Sequence, residues 1–268
     1  MTTFDHGDNQ SAFPTGTFAP KPNRAPISRV IRSQAKIESL LFLRHGEQQL
    51  LSMIIPIGLL VGLALIPFVP LDDPVDRVFP MVLAVAIMGA GFTGQAIAVA
   101  FDRRYGALKR IGAAGVPTFA LIGGKVAAVT VVVVLQVLVL SVVALLLGWT
   151  PTGLGLLLAL VFVLLGVATF TALGLWLGGT LSSEMVLALS NTIWFIMLGA
   201  AGYSAIADDL SSTMSFLLNL VPSVALATGL REALAGEFNW FALLVLVGWT
   251  TVGALAAKKF FSFTIKDD

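Results

Sequence analysis

Residues 119–147 read FALIGGKVAAVTVVVVLQVLVLSVVALLL, with a single charged residue, Lys125, near the beginning. A helix crosses the roughly 30 Å hydrocarbon core of a bilayer with about 20 apolar residues. Helix is the expected form because lipid offers the backbone no hydrogen-bond partner. The stretch therefore predicts a membrane-spanning helix that is long enough to tilt.

Five further apolar runs surround this one. The chain has 268 residues, of which 57% are hydrophobic and only 12% charged, and its mean hydropathy is +0.94. A soluble domain is about 25% charged. The predicted spans are residues 49–69, 79–101, 119–147, 154–178, 185–206 and 238–258. The predicted fold is therefore an all-α integral membrane protein with six transmembrane helices.

Basic residues collect on one side of these spans. That side receives all of the 16 Lys and Arg residues except Arg77 and Arg231, which are accompanied by most of the loop acids. Because cytoplasmic loops are enriched in Lys and Arg, the crowded side is predicted to be cytoplasmic. An even number of spans places both termini there, and the expected location is the cytoplasmic membrane of a bacterium.

The polar segments complete the domain organisation. Residues 1–25 are rich in Pro, Gly and Thr and lack the apolar core that a signal peptide has, so we expect a flexible cytoplasmic tail. The expected units are a tail over residues 1–25, an interface helix over 26–48, a transmembrane domain over 49–261 and a cytoplasmic C-terminal tail over 262–268.

Residues 26–48 repeat apolar side chains at helical spacing beside a basic face. This pattern predicts an amphipathic helix in the cytoplasmic interface. A basic juxtamembrane stretch that only sets the topology is the alternative. The candidate interface residues are Arg29, Arg32, Lys36 and Glu38.

Residues 207–237, on the outer side, are neither a span nor a simple loop. Their apolar part is too short to cross a bilayer, and Pro222 and Gly229 are expected to break it. We predict short outer re-entrant helices between spans five and six, a form allowed only where protein buries the backbone. A plain outer loop is the alternative.

The residues of common catalytic sites are missing. The chain has no cysteine, and its two histidines, His6 and His45, lie outside the spans. Phe119 stands where the P-loop motif GxxxxGK[ST] needs its first glycine, and Val126 follows Lys125. We therefore predict no catalytic residue, no metal site and no ATP site in this chain. No carboxylate lies at mid-membrane depth, which argues against an ion-coupled carrier.

Mild polar residues occur inside the spans: Thr93, Gln95, Gln136, Thr169, Thr171, Ser190, Asn191, Thr192 and Tyr203. The candidates for a translocation path are Thr93, Gln95, Asn191 and Tyr203. Hydrogen bonding between helices is the alternative for each of them. Gly58–Gly62 and Gly174–Gly178 fit GxxxG, which suits packing within one chain and dimerisation equally well.

Residues 101–117 read FDRRYGALKRIGAAGVP and join two apolar runs. We expect a short helix that leaves the membrane at Asp102 and ends before Pro117, with Gly106 allowing either a turn or the close approach of another backbone. Its charged and apolar side chains predict a helical knob that contacts a cytoplasmic partner, with a simple topology anchor as the alternative. The candidate contact residues are Asp102, Arg103, Arg104, Tyr105, Gly106, Leu108, Lys109, Arg110 and Ile111.

This stretch resembles the motif of ABC-2-type transporter permeases, in which acid-Arg-x-x-Gly-x-Leu-x-x-Leu precedes a small-Pro step and a Gly-Lys pair. The matching positions are Asp102, Arg103, Gly106, Leu108, Ile111, Val116, Pro117, Gly124 and Lys125. Residues 219–222 (NLVP), 230–233 (LREA) and 256–261 (AAKKFF) are similar to later elements of the family. The resemblance covers residues 26–261. The chain departs from the family at Asp102, where Glu is commoner, at Val116, and in lacking a proline-rich step after span five.

The resemblance implies the permease subunit of an ATP-binding cassette transporter, surrounded by lipid and without a nucleic-acid partner. It implies separate ATPase subunits that hold ATP and Mg²⁺, and a second permease in a homo- or heterodimer. The knob would be the coupling helix, with a second cytoplasmic contact at Ser182, Ser183 and Glu184. Because Tyr and Trp are few, we expect export of a hydrophobic or amphipathic molecule, such as a drug or lipid. Export of a lipid-linked glycan, an ATP-independent carrier and a structural membrane protein remain alternatives.

Overall fold

The computed structural model describes residues 26–44, 46–65, 74–113, 116–207 and 210–262, and every regular element in these ranges is helical. The predicted N-terminal tail and most of the C-terminal tail lie outside the described residues. The helices are α1 Ile27–Arg44, α2 Gly46–Leu65, α3 Pro74–Met88, a π-helix Gly89–Gly94, α4 Gln95–Arg104, α5 Ala107–Ala113, α6 Thr118–Leu146, α7 Gly153–Thr180, α8 Ser183–Ile206, α9 Ser212–Asn219, α10 Pro222–Leu234 and α11 Trp240–Phe260.

Helices occupy all six predicted runs, and the all-α membrane fold is confirmed. Five are long and apolar enough to span a bilayer: Pro74–Arg104, Phe119–Leu146, Gly153–Thr180, Ser183–Ile206 and Trp240–Phe260. The predicted first span corresponds to α2, whose apolar part, Met53–Leu65, is shorter than a full span. Residues 66–69 of that prediction lie outside the described residues.

The second span is the centre of the bundle. It runs as one helix over Pro74–Arg104, and its π-helical segment lies midway. All residues of α3 from Val78 to Met88 are buried, and α2, α6, α7, α8 and α10 pack around it. A helix that is apolar on all sides is stable only inside such a bundle or in lipid.

Small residues set the distance between the second and fourth spans. A Cβ added at Gly174 would lie 2.6 Å from the Phe92 carbonyl oxygen, and one at Gly178 would collide with the Ala96 carbonyl oxygen. The Gly174–Gly178 pair therefore packs within this chain. Added Cβ atoms at Gly58 and Gly62 would meet no described atom within 4 Å.

The amphipathic helix α1 ends at Arg44, and residues 46–48, the end of the predicted interface helix, begin α2. It packs against the beginning of α6. A Cβ at Gly124 would lie 2.5 Å from the Gln34 side chain, so a glycine there permits the close approach. The predicted interface helix is therefore packed against the third span.

The segment between spans five and six forms two short helices, as expected. α9 and α10 meet at an angle of 102°, and α10 packs back against α3, α7, α8 and α11. Pro222 begins α10, where a missing N–H costs nothing. The expected break at Gly229 was wrong: Gly229 lies inside α10, and a Cβ there would lie 2.5 Å from the Phe162 ring.

Candidate functional site: a basic surface and an apolar cavity

The stretch after the second span folds as two helices and not as one. α4 continues to Arg104, and α5 begins at Ala107. Gly106 joins them with φ of +71°, a conformation that suits glycine because it has no Cβ. The turn therefore lies at Gly106, the position predicted from the sequence.

Arg103 is buried, with only 6% of its surface exposed. Its Nη1 donates hydrogen bonds to the carbonyl oxygens of Gly178, at 3.0 Å, and Leu181, at 2.8 Å. These carbonyls end α7, where helix geometry leaves them unpaired and where a cation is favourable. Arg103 thus holds the end of the fourth span against the second.

Leu108, another predicted contact residue, is also buried. It packs in a small apolar cluster with Val99, Leu121 and Leu175. The side chains of Leu108 and Arg103 contact other helices of this chain. The predicted contact with a partner therefore depends on the exposed residues. We name the exposed side chains Arg104, Tyr105, Lys109 and Arg110 the basic surface.

The basic surface adjoins the turn between α7 and α8. Arg104 Nη1 lies 3.1 Å from Ser183 Oγ and 2.5 Å from Glu184 Oε1. Ser182 Oγ accepts a hydrogen bond from the Met185 backbone N–H and caps α8. The two stretches that the sequence nominated separately, 101–111 and 182–184, therefore lie side by side.

An ion cluster of Lys125, Glu38 and Asp102 includes the residue next to Arg103, and its cation is buried while its two carboxylates are partly exposed. Lys125 is fully buried, and its Nζ lies 2.8 Å from Glu38 Oε1 and 3.0 Å from Asp102 Oδ2. Gln34 Nε2 donates to the same Glu38 oxygen at 3.0 Å. The cluster joins α1, α4 and α6, and the pairing is what makes a buried ammonium tolerable.

From the sequence, Asp102 and Glu38 were predicted to contact partner subunits, and no contact was predicted for Lys125. The pairing could have been inferred from Lys125 itself, because a lone charge in an otherwise apolar span needs a partner of opposite charge. The remaining interface residues, Arg29, Arg32 and Lys36, are exposed on α1. Ile111 is half-buried beside the Leu108 cluster.

A cavity of about 310 Å³, which we name the span cavity, lies among α2, the second span, α6 and α8. Of the predicted path residues, Thr93 and Asn191 line it. Gln95 is buried but does not line it, and Tyr203 is exposed further along α8. The full lining is Ile55, Pro56, Val85, Ala86, Gly89, Ala90, Thr93, Gly94, Ile97, Gln136, Asn191, Trp194 and Phe195.

The π-helix supplies four of these lining residues, Gly89, Ala90, Thr93 and Gly94. Single π-turns within α-helices occur often at functional sites, since they displace the backbone from regular α-helical register. Ile55 and Phe195, at the rim, are 47% and 63% exposed. The span cavity is therefore open toward the outside of the chain between α2 and α8.

A second cavity, of about 910 Å³, lies at the opposite end of the bundle from the basic surface. It is bounded by the start of α3, the connection between α6 and α7, and the bent α9–α10 pair. Its charged lining residues are Asp76, Arg77, Arg231 and Glu232. The two basic residues that the sequence left on the acidic side thus share one polar vestibule.

The match to known proteins covers most of these features. The model of the ABC-2 family transporter proteins matches residues 75–258, more than half of the chain. That region includes the basic surface, the ion-cluster residues Asp102 and Lys125, and three of the four walls of the span cavity. No curated protein matches the sequence. The chain belongs to the ABC-2 transporter family, whose members are the membrane-spanning permease subunits of ATP-binding cassette transporters.

Proposed function

We propose that this permease exports a hydrophobic or amphipathic molecule, driven by separate ATPase subunits that bind ATP with Mg²⁺ and dock on the basic surface. One observation carries the proposal: the second span is a single helix that lines an uncharged cavity at its middle and ends at the basic surface. Movement of an ATPase against that surface would therefore act directly on a wall of the cavity.

The contacts around the basic surface support a transfer of force. Arg103 ties the end of the second span to α7, and the ion cluster ties it to α1 and α6. Arg104 adds a contact with the beginning of α8. A push on α5 would then move these helix ends together. The π-helix, where the hydrogen-bond register of α-helix changes, is the proposed point of bending.

We further propose that two permeases, identical or related, form the functional unit, with both termini and the basic surface in the cytoplasm of a bacterium. The open side of the span cavity, between Ile55 and Phe195, supports this arrangement because a second permease there would close it. The proposed domain plan keeps the tails, the interface helix and one transmembrane domain.

The first experiment tests the ATPase contact. The tagged protein is purified in mild detergent from its native membranes, and co-eluting subunits are identified by mass spectrometry. We expect a stoichiometric P-loop ATPase, and we expect the double variant Lys109→Glu, Arg110→Glu to lose it, because both side chains are exposed on the basic surface. Co-purification is quantified as the ATPase-to-permease ratio.

The matched control is Lys258→Glu, Lys259→Glu, which makes the same charge change on exposed residues at the end of α11. It should retain the ATPase. Equal retention or equal loss in both double variants would contradict docking on the basic surface. Inverted vesicles then test the transport step, with ATP-dependent accumulation of a hydrophobic dye as the expected result and accumulation of a glycan alone as the contrary one.

A further inference from the structure

The span cavity carries unpaired polar atoms that nothing in the fold explains. Gln136 Oε1, Thr93 Oγ1 and Trp194 Nε1 have no hydrogen-bond partner among the described residues. All three side chains line the cavity, and Gln136 is only 3% exposed. A buried donor or acceptor without a partner costs free energy, so a ligand that pairs with it gains binding energy.

The unpaired atoms include a hydrogen-bond acceptor and a hydrogen-bond donor. The Gln136 carbonyl oxygen is an acceptor and the Trp194 indole N–H is a donor. Gly89, in the π-helix, lies beside the indole: a Cβ there would lie 3.6 Å from Trp194 Nε1. The N–H group therefore lies next to the backbone of the π-helix, with no side chain of residue 89 between them. Asn191 differs, because its Nδ2 already donates to the Leu187 carbonyl oxygen.

Charge separates this cavity from the second one. None of the described residues that line the span cavity is charged, whereas Asp76, Arg77, Arg231 and Glu232 line the other. An ion transferred into an apolar site without a counter-ion loses its hydration with nothing in return. At about 310 Å³, the cavity lies at the small end of the roughly 300–1,000 Å³ range of ligand pockets.

We propose that Gln136 and Trp194 determine specificity, by selecting an uncharged apolar molecule that carries both a hydrogen-bond donor and an acceptor. Gln136 accepts from the donor, and Trp194 donates to the acceptor. The inference rests on the proposed export function and names its substrate class. Neither residue was among the path residues predicted from the sequence.

Four probes with the same three fused rings separate the effects of a hydrogen-bond donor, a hydrogen-bond acceptor and a charge on binding. Acridone has one N–H donor and one carbonyl acceptor, and N-methylacridone keeps only the acceptor. The cation 10-methylacridinium and the anion acridine-9-carboxylate carry a charge. Equilibrium binding of each probe is measured by fluorescence on the complete transporter in lipid nanodiscs without nucleotide, after subtraction of empty nanodiscs.

We expect acridone to bind more tightly than N-methylacridone and more tightly than either charged probe. Gln136→Leu should weaken acridone binding by about tenfold, the effect of one buried hydrogen bond, and leave N-methylacridone nearly unchanged. Trp194→Phe should weaken both acridones. Leucine removes a buried carbonyl oxygen that has no partner among the described residues, so this variant should fold, and its ATPase co-purification verifies that it does.

Trp240→Phe and Thr251→Val are the matched controls, because both side chains are exposed on α11 and do not line the cavity. They should leave all four affinities unchanged. The inference is overturned if neither acridone binds above empty nanodiscs, if a charged probe binds as well as acridone, or if Gln136→Leu weakens both acridones equally. ATP-driven dye export alongside any of these results would leave the proposed function standing. Selective acridone binding without ATP-driven export would contradict the proposed function and leave the inference about Gln136 and Trp194 standing.

Discussion

Two neighbouring arginines at the end of the second span have different environments. Arg103 is buried and donates to the last carbonyls of α7, whereas Arg104 is exposed and pairs with Glu184. A joint charge reversal of both would therefore disturb the fold as well as the surface. For this reason the docking test uses Lys109 and Arg110.

Arg103→Gln is expected to lower the free energy of unfolding by about 2–3 kcal/mol, since it removes charged hydrogen bonds to buried carbonyls. Arg104→Gln is expected to leave stability almost unchanged, because exposed ion pairs contribute little. The measurement is thermal denaturation of the purified protein followed by tryptophan fluorescence. Equal destabilisation by the two variants would contradict this assignment.

The ion cluster gives a second prediction at the residue scale. Lys125→Met leaves the carboxylates of Glu38 and Asp102, which are 18% and 37% exposed, without their cation. Because each carboxylate loses a charged hydrogen bond, we expect the free energy of unfolding to fall by about 1–3 kcal/mol. The triple variant Lys125→Met, Glu38→Gln, Asp102→Asn removes all three charges and should recover most of the loss. Chemical denaturation measures both variants. A triple variant no more stable than Lys125→Met would contradict the cluster's role.

At the scale of the helices, two GxxxG motifs with the same spacing have different packing environments. Gly178 lies against the backbone of the second span, while a Cβ added at Gly58 would meet no atom of the described residues within 4 Å. Gly178→Ala should lower stability by about 1–3 kcal/mol through overpacking. Gly58→Ala should be neutral or slightly stabilising, because alanine is the better helix former.

Denaturation midpoints of the two glycine variants, measured in the same detergent, check this difference. Each variant is the other's control, since both add one methyl group within a helix. Comparable losses at both positions would mean that Gly58 is packed in the assembled transporter, and would place a second permease against α2.

At the scale of the whole molecule, the orientation can be tested without background labelling because the chain has no cysteine. Lys109→Cys, on the basic surface, should react with a membrane-impermeant maleimide only in inverted vesicles. Glu237→Cys, exposed before α11 at the other end, should react only in intact cells. The unmodified protein is the control. Labelling of both positions from one side would contradict the orientation.

Features that depend on local composition were predicted correctly from the amino-acid sequence. Hydropathy located the helices α6, α7, α8 and α11 within a few residues of their observed ends, because a lipid-exposed helix must be apolar along its whole length. The charge distribution collected the basic residues at one end, and the motif at Asp102–Arg103 identified the family. None of these inferences needs a partner from elsewhere in the chain.

Contacts between residues that are distant in the sequence became visible only in the folded chain. Lys125 pairs with Glu38, 87 positions away, and Arg103 bonds to Leu181, 78 positions away. Gly229, read from the sequence as a helix breaker, gives room to the Phe162 ring inside a continuous helix. Likewise Gln136 and Trp194 share a cavity only because α6 and α8 both border the second span. Hydropathy and local propensity report what a segment contacts on average, whereas these pairings follow from the packing of particular helix faces.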